Sequence, residues 1–384
     1  MRRSLRLATG LAGGLVAVLV GTASADPVPV GPGSYPTTNS SGTTPTAADF
    51  VTAVGADADA ELVNEIASQY NAQLAAGGAK VLSYDAVNPT TGVAGETLHA
   101  KPGCDLTRPN GANAGVTALL ANQVSSAATS NPQAGDGTSY CVDFARSSRS
   151  KKASGESALT FYDLTRDAVT WATIGGSYAP DTALTTVQLR GIFECVITNW
   201  AQVGGQYGAI HVYVPPSSAA TYTFFLTSIG SSVANVTNGC GSAARATQQN
   251  DGTKLVGDPQ GIAPYAVTKW AAQLNGAPGI NDLRGGATLG HVPLSDGTSV
   301  PPVVKYANTP YFVLNPDFAS GVGAATSTQG RLLYDVIRNS NATLPALFDK
   351  NGFVCSNQNT LLPPFGAVPL GVDTSATEYC GKAN

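Results

Sequence analysis

Residues 50–84 change hydrophobic periodicity twice, and this alternation constrains the fold more than any other feature of the chain. Residues 50–54 are a short apolar run that ends at Gly55. Apolar residues at helical spacing follow over residues 60–74, and residues 81–84 form a second strand-like run. Strand, glycine turn, helix and strand in this order predict parallel strands joined by a helix, so we expect an α/β fold.

The same alternation continues through the chain of 384 residues, which is longer than one hydrophobic core usually supports. The length therefore favours two domains. Strands are predicted at residues 140–144, 159–164, 168–172 and 210–214, with an extended segment within 305–314. Helices are predicted at residues 116–124, 184–193, 222–229, 264–274 and 332–338.

The first 25 residues have the pattern of a secretory signal peptide. Arg2, Arg3 and Arg6 precede an apolar stretch over residues 11–20, and residues 23–25 fit a cleavage site. No cysteine follows that site, so no lipid anchor is expected, and no second apolar stretch is long enough to span a bilayer. We expect a secreted, extracellular protein in which residues 26–45, rich in Pro, Gly, Ser and Thr, form a flexible linker.

The charge of the mature chain disfavours two classes of partner. Removal of the three signal-peptide arginines leaves 18 basic against 25 acidic residues, a net charge of −7. Nucleic acids and anionic membranes repel such a protein, so neither is an expected partner. We expect a monomer.

Six cysteines fit the expected secretion, because an even number in an exported chain favours disulfides. Fifteen pairings are open in principle. Sequential pairing closes a moderate loop within one region each time, and we predict Cys104–Cys141, Cys195–Cys240 and Cys355–Cys380. The sequence has no CxxC motif and its three histidines stand apart, so we expect no metal and no cofactor.

The densest positive cluster of the mature chain follows the predicted strand at residues 140–144. The sequence Asp-Phe-Ala-Arg-Ser-Ser-Arg at residues 143–149 is followed directly by Lys151 and Lys152. Arginine forks and small hydroxyl donors at the end of a strand suit a bound oxyanion. A solvated basic loop is the alternative interpretation.

Other loops precede helices in an order that resembles a known family. They are the Val-Gly-Ala-Asp turn at 54–57, Arg-Pro-Asn-Gly-Ala-Asn-Ala-Gly at 108–115 and Pro-Pro-Ser-Ser-Ala-Ala-Thr at 215–221. Together with residues 143–149, this order resembles the phosphate-binding substrate-binding proteins of ABC transporters, especially their secreted actinobacterial branch. The likeness covers roughly residues 50–353.

The resemblance implies a two-domain type II periplasmic-binding-protein fold with crossing hinge strands. Domain I would comprise residues 46–172 and 310–384, and domain II residues 173–309. The crossing strands would lie near residues 169–173 and 311–314. An ABC transporter permease is then a possible partner.

The resemblance also implies that helix starts in the cleft hold a small oxyanion, phosphate first. Helix N-termini offer unpaired N–H groups and partial positive charge. Arg146 would be the main charged partner, and Asp57 the candidate acceptor for the proton that distinguishes hydrogen phosphate from sulfate. The predicted ligand-binding residues are Asp57, Ala58, Asn113, Arg146, Ser147, Ser148, Ser217, Ser218 and Thr221.

Alanines replace several side chains that the family uses at these loops. Ala112 stands where the family has a serine, and Ala219-Ala220 precede Thr221 where a Ser-Gly-Thr turn is typical. A binding-protein fold that lost its ligand and has a non-transport extracellular role is therefore one alternative. A secreted hydrolase is another, but the chain has no G-x-S-x-G and no H-E-x-x-H motif, so we do not expect an enzyme.

Overall fold

A computed structural model describes residues 34–126, 139–293, 299–305, 311–315 and 330–384. The predicted signal peptide and the start of the predicted linker lie outside the described residues. Residues 34–45 of that linker contact the folded chain. Ser34 forms an isolated β-bridge with His99, the Ser40 hydroxyl donates to the Gly78 carbonyl at 2.6 Å, and the Tyr35 ring packs on Phe50.

The described residues confirm the α/β fold class. The strands are β1 (Phe50–Gly55), β2 (Lys80–Ser83), β3 (Thr97–Lys101), β4 (Cys104–Thr107), β5 (Phe144–Ser147), β6 (Leu159–Ile174), β7 (His211–Val214), β8 (Arg245–Ala246), β9 (Gly261–Ala266), β10 (Ala287–Leu289), β11 (Val292–Pro293), β12 (Ser299–Val300), β13 (Val303–Lys305), β14 (Phe312–Leu314) and β15 (Gly330–Arg338). The α-helices are α1 (Ala60–Asn71), α2 (Ala112–Leu120), α3 (Thr186–Phe193), α4 (Ala220–Ser228), α5 (Val233–Cys240), α6 (Val267–Asn275), α7 (Pro345–Phe348) and α8 (Phe353–Leu361).

A nine-stranded mixed sheet runs through the described residues in the order β2-β1-β5-β15-β6-β9-β7-β8, with β10 also paired to β6. β1 is parallel to β2 and β5, as the opening of the sequence predicts. The long strand β6 pairs with β15 through Ala168 and with β9 from Val169 onward. β6 therefore passes from one half of the molecule to the other, as expected of a hinge strand.

The first half of the sheet is buried on both faces. In β1, Val51 and Ala53 belong to the core beneath α1, whereas Phe50 and Val54 belong to the core beneath α2. Side chains that alternate between two cores require an apolar run rather than an apolar–polar alternation. A separate core in the second half of the molecule is built around Trp200 and is contributed largely by α3, α4 and β7.

The predicted helix at residues 332–338 is wrong, because this segment is strand β15. β15 pairs antiparallel with both β5 and β6, and residues 333–338 are buried. A short run such as Leu-Leu-Tyr-Asp-Val-Ile-Arg fits either a helical or a strand periodicity, so its pairing with neighbouring strands decides its secondary structure. The predicted helix at 264–274 is also shortened, since Pro264 lies in β9 opposite Trp171 and α6 begins at Val267.

The second predicted crossing segment, residues 311–314, lies beside the large sheet rather than within it. β14 pairs with β13 in a two-stranded ladder. The Leu314 amide donates to the Gly366 carbonyl at 3.1 Å, and the Asn275 side chain donates to the Phe312 carbonyl at 3.3 Å. The segment is thereby attached to α6 and to the C-terminal region.

The three predicted disulfides are confirmed. Cys104 pairs with Cys141, Cys195 with Cys240 and Cys355 with Cys380, at Cα–Cα separations of 5.3, 5.1 and 5.5 Å. The first disulfide holds the β3–β4 ladder against the segment that leads into β5.

Among the residues that the structure describes, no helix has both the length and the apolar character needed to cross a membrane.

Candidate functional site

The end of β1, the start of α2 and the turn before α4 meet at one place, and glycines permit the approach. Gly111 precedes α2 at a φ of 99°, and a Cβ there would lie 2.6 Å from the Ser218 carbonyl oxygen. A Cβ on Gly115 would lie 2.4 Å from the Gly55 Cα. The start of α2 is therefore held between the end of β1 and the turn before α4, with no room for a larger residue.

Neither α2 nor α4 has a side-chain cap at its start. The N-cap residues are Gly111 and Ala219, and neither accepts a hydrogen bond through its side chain. The first N–H groups of a helix have no acceptor within the helix, and they carry the positive end of its dipole. Two uncapped starts that face each other therefore form a locally positive surface that suits an anion.

Three alanine methyl groups lie between these helix starts. Ala56, Ala112 and Ala220 are buried and form one contact cluster. The resemblance implies a hydroxyl at the position of Ala112, and a methyl group cannot donate a hydrogen bond to a ligand. Any anion at this position would have to be held by backbone N–H groups and by side chains around the cluster.

Arg146 does not point its guanidinium into this space. The residue is 0% exposed, and its guanidinium donates to the Ala56 carbonyl at 3.0 Å, the Ser83 hydroxyl at 2.6 Å and the Tyr84 carbonyl at 2.6 Å. Its fork thus ties β5 to the ends of β1 and β2. This structural role differs from the predicted role as the main charged partner of the ligand.

The rest of the basic stretch at residues 143–149 is also largely occupied by protein contacts, and Phe144–Ser147 form strand β5 rather than the predicted loop. The Ser147 hydroxyl donates to the Arg149 carbonyl at 2.8 Å. The Arg149 guanidinium donates to the Asn113 side chain at 2.7 Å and to Glu156 at 2.6 Å. The side-chain oxygen of the predicted ligand residue Asn113 is therefore engaged by Arg149.

A second buried arginine, Arg331 on β15, reaches the first turn of α4. Its guanidinium donates to the Thr221 hydroxyl at 2.9 Å and to the Ser148 carbonyl at 3.3 Å. It also donates twice to Asp167, at 2.9 and 2.7 Å. Asp167 in turn accepts from the Thr268 hydroxyl at 2.7 Å. Arg331 thus links β15, the end of β5 and the first turn of α4.

The predicted Ser217 and Ser218 lie in the turn before α4. Ser217 is exposed, and Ser218 is half-buried with its carbonyl oxygen against Gly111. Thr221 lies one position beyond Ala220 and is fully buried. Because the Thr221 oxygen accepts from Arg331, the hydroxyl hydrogen can be donated to a third group.

Asp59 is a buried carboxyl group that the sequence does not single out as a ligand residue. It is 1% exposed, and neither of its oxygens has a hydrogen-bond partner among the described residues. Burial raises its pKa to about 7, although the nearby Arg146 and Arg331 act in the opposite direction. Burial also raises the pKa of Asp335 well above its usual range, and the charge of Asp59 adds to that shift.

Asp57 and Ala58 lie beside the convergence point but face other groups. The Asp57 carboxylate accepts from the Asn250 side chain at 2.8 Å, and its carbonyl accepts from Lys269 at 3.0 Å. Ala58 packs against Ala266 and Leu333. Within the described ranges, no group of three or more His, Cys, Asp or Glu side chains is arranged to hold a metal ion.

The sequence points to these loops but misses Arg331 and Asp59. Arg331 directly precedes the segment that the apolar spacing assigns to a helix, and no loop signal marks it. Asp59 looks like an acidic residue placed to favour the start of α1. Strand pairing positions Arg331, because β15 lies between β5 and β6, whereas Asp59 is the N-cap residue of α1.

The family model described as a PBP superfamily domain matches residues 39–315, which is more than half of the chain. Among solved structures, the chain is similar to an ABC-type phosphate transport receptor from Vibrio cholerae (16% identity, TM-score 0.49, 83% of this chain and 99% of that chain covered). It is also similar to a phosphate-binding protein from Stenotrophomonas maltophilia (18% identity, TM-score 0.40, 77% and 81% covered). A comparison with curated proteins finds no match.

Proposed function

The chain belongs to the PBP superfamily, and on that premise we propose that it is a secreted solute-binding protein for a small oxyanion, phosphate first. The ligand would lie in the cleft between the two domains, which we place at residues 46–172 with 310–384 and at residues 173–309. Binding without turnover is the expected activity, and a transporter permease is the partner that such a role requires.

The observation that carries this proposal is the meeting of two uncapped helix starts beside a buried guanidinium. The α2 and α4 starts lack side-chain caps, and Arg331 reaches the first turn of α4 through Thr221. N–H groups, a hydroxyl hydrogen and an arginine are the donors that oxyanion sites use. Asp167 balances the charge of Arg331, so the site would suit an anion of modest charge.

Asp59 is a better candidate than Asp57 for discriminating between anions. The Asp57 carboxylate is engaged by Asn250 on the far side of the cleft, whereas both oxygens of Asp59 lack a partner among the described residues. Above its pKa of about 7, the ionised Asp59 carboxylate could accept the proton of hydrogen phosphate. Facing sulfate, the same lone pair would stay unpaired at a cost of about 1–3 kcal/mol.

Thr221→Val should weaken phosphate binding by about 1–1.5 kcal/mol, or roughly five- to tenfold in Kd. The substitution keeps the shape of the side chain but removes the hydroxyl hydrogen that we assign to the anion. Isothermal titration calorimetry of the mature chain with phosphate measures the change.

Thr223→Val on the same helix is the matched control. The Thr223 hydroxyl donates back to the Ala220 carbonyl at 3.2 Å and so is committed to its own helix. We expect its Kd for phosphate to equal that of the unaltered protein. Equal Kd values for the Thr221 and Thr223 variants would contradict the assignment of the Thr221 hydroxyl to the ligand.

The alanine cluster favours a second candidate function, a binding-protein fold that has lost its ligand. Direct contact of Ala56, Ala112 and Ala220 joins the helix starts without any bound group. In that case the folded protein should give no heat with phosphate or sulfate at millimolar concentration. Turnover of chromogenic phosphate or acyl esters would contradict both candidates, because each excludes catalysis.

A further inference from the structure

A cavity of about 170 Å³ is lined in part by Asp57 and by none of the residues of the alanine cluster. One wall comes from Asp57, Glu61 and residues 85–92, and the opposite wall from residues 249–250, α6 and residues 281–283. Segments distant in sequence thus enclose it on both sides. Its volume is below that of typical drug-sized sites, so it suits a ligand of about a dozen non-hydrogen atoms or fewer.

Carboxylates outnumber ammonium groups on the cavity lining. The lining contains Asp57, Glu61 and Asp85 and one lysine, Lys269. Lys269 forms a short ion pair with Glu61 and lies 3.7 Å from the Asp57 carboxylate. Burial opposes its charged form, but Asp57, Glu61 and Asp85 together raise its pKa, so it stays protonated. The lining is therefore net negative and favours a cation over an anion.

The polar walls are fixed in position before any ligand binds. Asn250 donates to Asp57 at 2.8 Å, and its side-chain oxygen accepts from the Ala266 amide at 2.8 Å. Gln273 accepts from the Tyr265 hydroxyl at 2.8 Å and donates to the Asn250 carbonyl at 3.1 Å. Such a network holds the carboxylate of Asp57 in one orientation and lowers the entropic cost of binding.

Gln249 supplies an independent sign of a ligand. It lines the cavity and is 6% exposed, yet its side-chain nitrogen has no partner among the described residues. A buried amide N–H without an acceptor destabilises the fold, and a hydroxyl oxygen on a bound molecule would remove that cost.

The geometry points to a binding site for a small hydroxylated amine in this cavity. The ammonium group would face Asp57, and a hydroxyl oxygen would accept from Gln249. The site is distinct from the oxyanion site of the proposed function and does not depend on it. Amino alcohols and amino sugars are the chemical class that presents both groups within the available volume.

Glucosamine and glucose form a matched pair of probes, because they differ in one ammonium group. Calorimetry of the mature chain at pH 7 should give a Kd below about 1 mM for glucosamine and an affinity for glucose at least tenfold weaker. Equal affinities, or no heat with glucosamine at 10 mM, would overturn the proposal. Phosphate is titrated in a separate experiment, so that a failure to bind glucosamine and a failure to bind phosphate can be distinguished.

Two variants locate the binding within the cavity. Asp57→Asn removes one negative charge without changing shape, and Gln249→Ala removes the unpaired amide. Each should weaken glucosamine binding at least fivefold, with an unchanged circular dichroism spectrum. Asp105→Asn is the charge-matched control, because Asp105 pairs with His99 at the surface. The proposal fails if the folded Asp57 variant binds glucosamine as tightly as the Asp105 control does.

Discussion

Replacement of Lys101 by methionine should destabilise the fold by about 3–5 kcal/mol. The Lys101 ammonium donates to the Asp143 carboxylate at 2.6 Å and to the Phe50 carbonyl at 3.0 Å. Both side chains of the ion pair are 0% exposed. Methionine has similar length and no charge, so the change would remove the Lys101 cation from beside the buried Asp143 carboxylate. Urea unfolding followed by circular dichroism measures the effect.

The double variant Lys101→Met with Asp143→Asn tests whether the lost pairing is the cause. An asparagine can still accept from the Thr52 amide, which donates to Asp143 at 2.8 Å, but it leaves no unpaired charge. We expect it to recover a large part of the stability lost by the single variant. Arg284→Met at the local pair with Asp282 should cost less than about 1 kcal/mol. A comparable loss in both single variants would refute the buried-charge explanation.

This ion pair changes the interpretation of the basic stretch at residues 143–149. Asp143 binds Lys101 and Thr52, Arg146 binds three protein oxygens, and Arg149 binds Glu156 and Asn113. The concentration of charge that the sequence associates with a ligand thus serves largely to join β1, β2, β3 and β5. A charged cluster at a strand end can indicate a scaffold as well as a binding site.

The sequence predicts correctly those elements of the fold that are determined by residues close together in the chain. The apolar run before Gly55 and the helical spacing after it identify β1 and α1, and nearby cysteines identify the disulfides. β15 could not be identified in this way. It lies between β5 and β6, both distant in sequence, and those partners make it a strand. Non-local pairing overrides a short ambiguous periodicity.

The same limit applies to the candidate site. The sequence predicts that the segments at Gly111, Ser148 and Thr221 come together; in the structure Gly111 lies against Ser218, and Arg331 bridges Ser148 and Thr221. It does not reveal which arginine faces them, because that depends on strand register. Arg146 lies opposite Asp335 on β15, and Arg331 lies opposite Asp167 on β6. Strand register directs the fork of Arg331 toward Thr221 and that of Arg146 toward the ends of β1 and β2.

The stability of the protein should depend on pH through Asp59, and Asp59→Asn should remove that dependence. Burial raises the pKa of Asp59 to about 7 in the folded protein, from the usual 3.8 of an aspartate. Between these two pH values the folded state holds a proton that the unfolded state has lost. The contribution of Asp59 to stability is therefore fully present below pH 4, declines as the pH rises to about 7, and stays low above it.

At pH 8, Asp59→Asn should accordingly be more stable than the unaltered protein, by on the order of 2–4 kcal/mol, and the difference should vanish near pH 4. Asparagine resembles the protonated carboxyl group in shape and has no charge to bury. Urea unfolding of both proteins from pH 4 to pH 8 gives the difference directly, and titrations shared by the two proteins, such as that of Asp163, cancel. Asp335 lies close enough to respond to the lost charge, so Asp335→Asn is measured in parallel to separate the two carboxyl groups. A stability difference that does not change with pH would show that Asp59 is ionised throughout this range, held by the charges of Arg146 and Arg331.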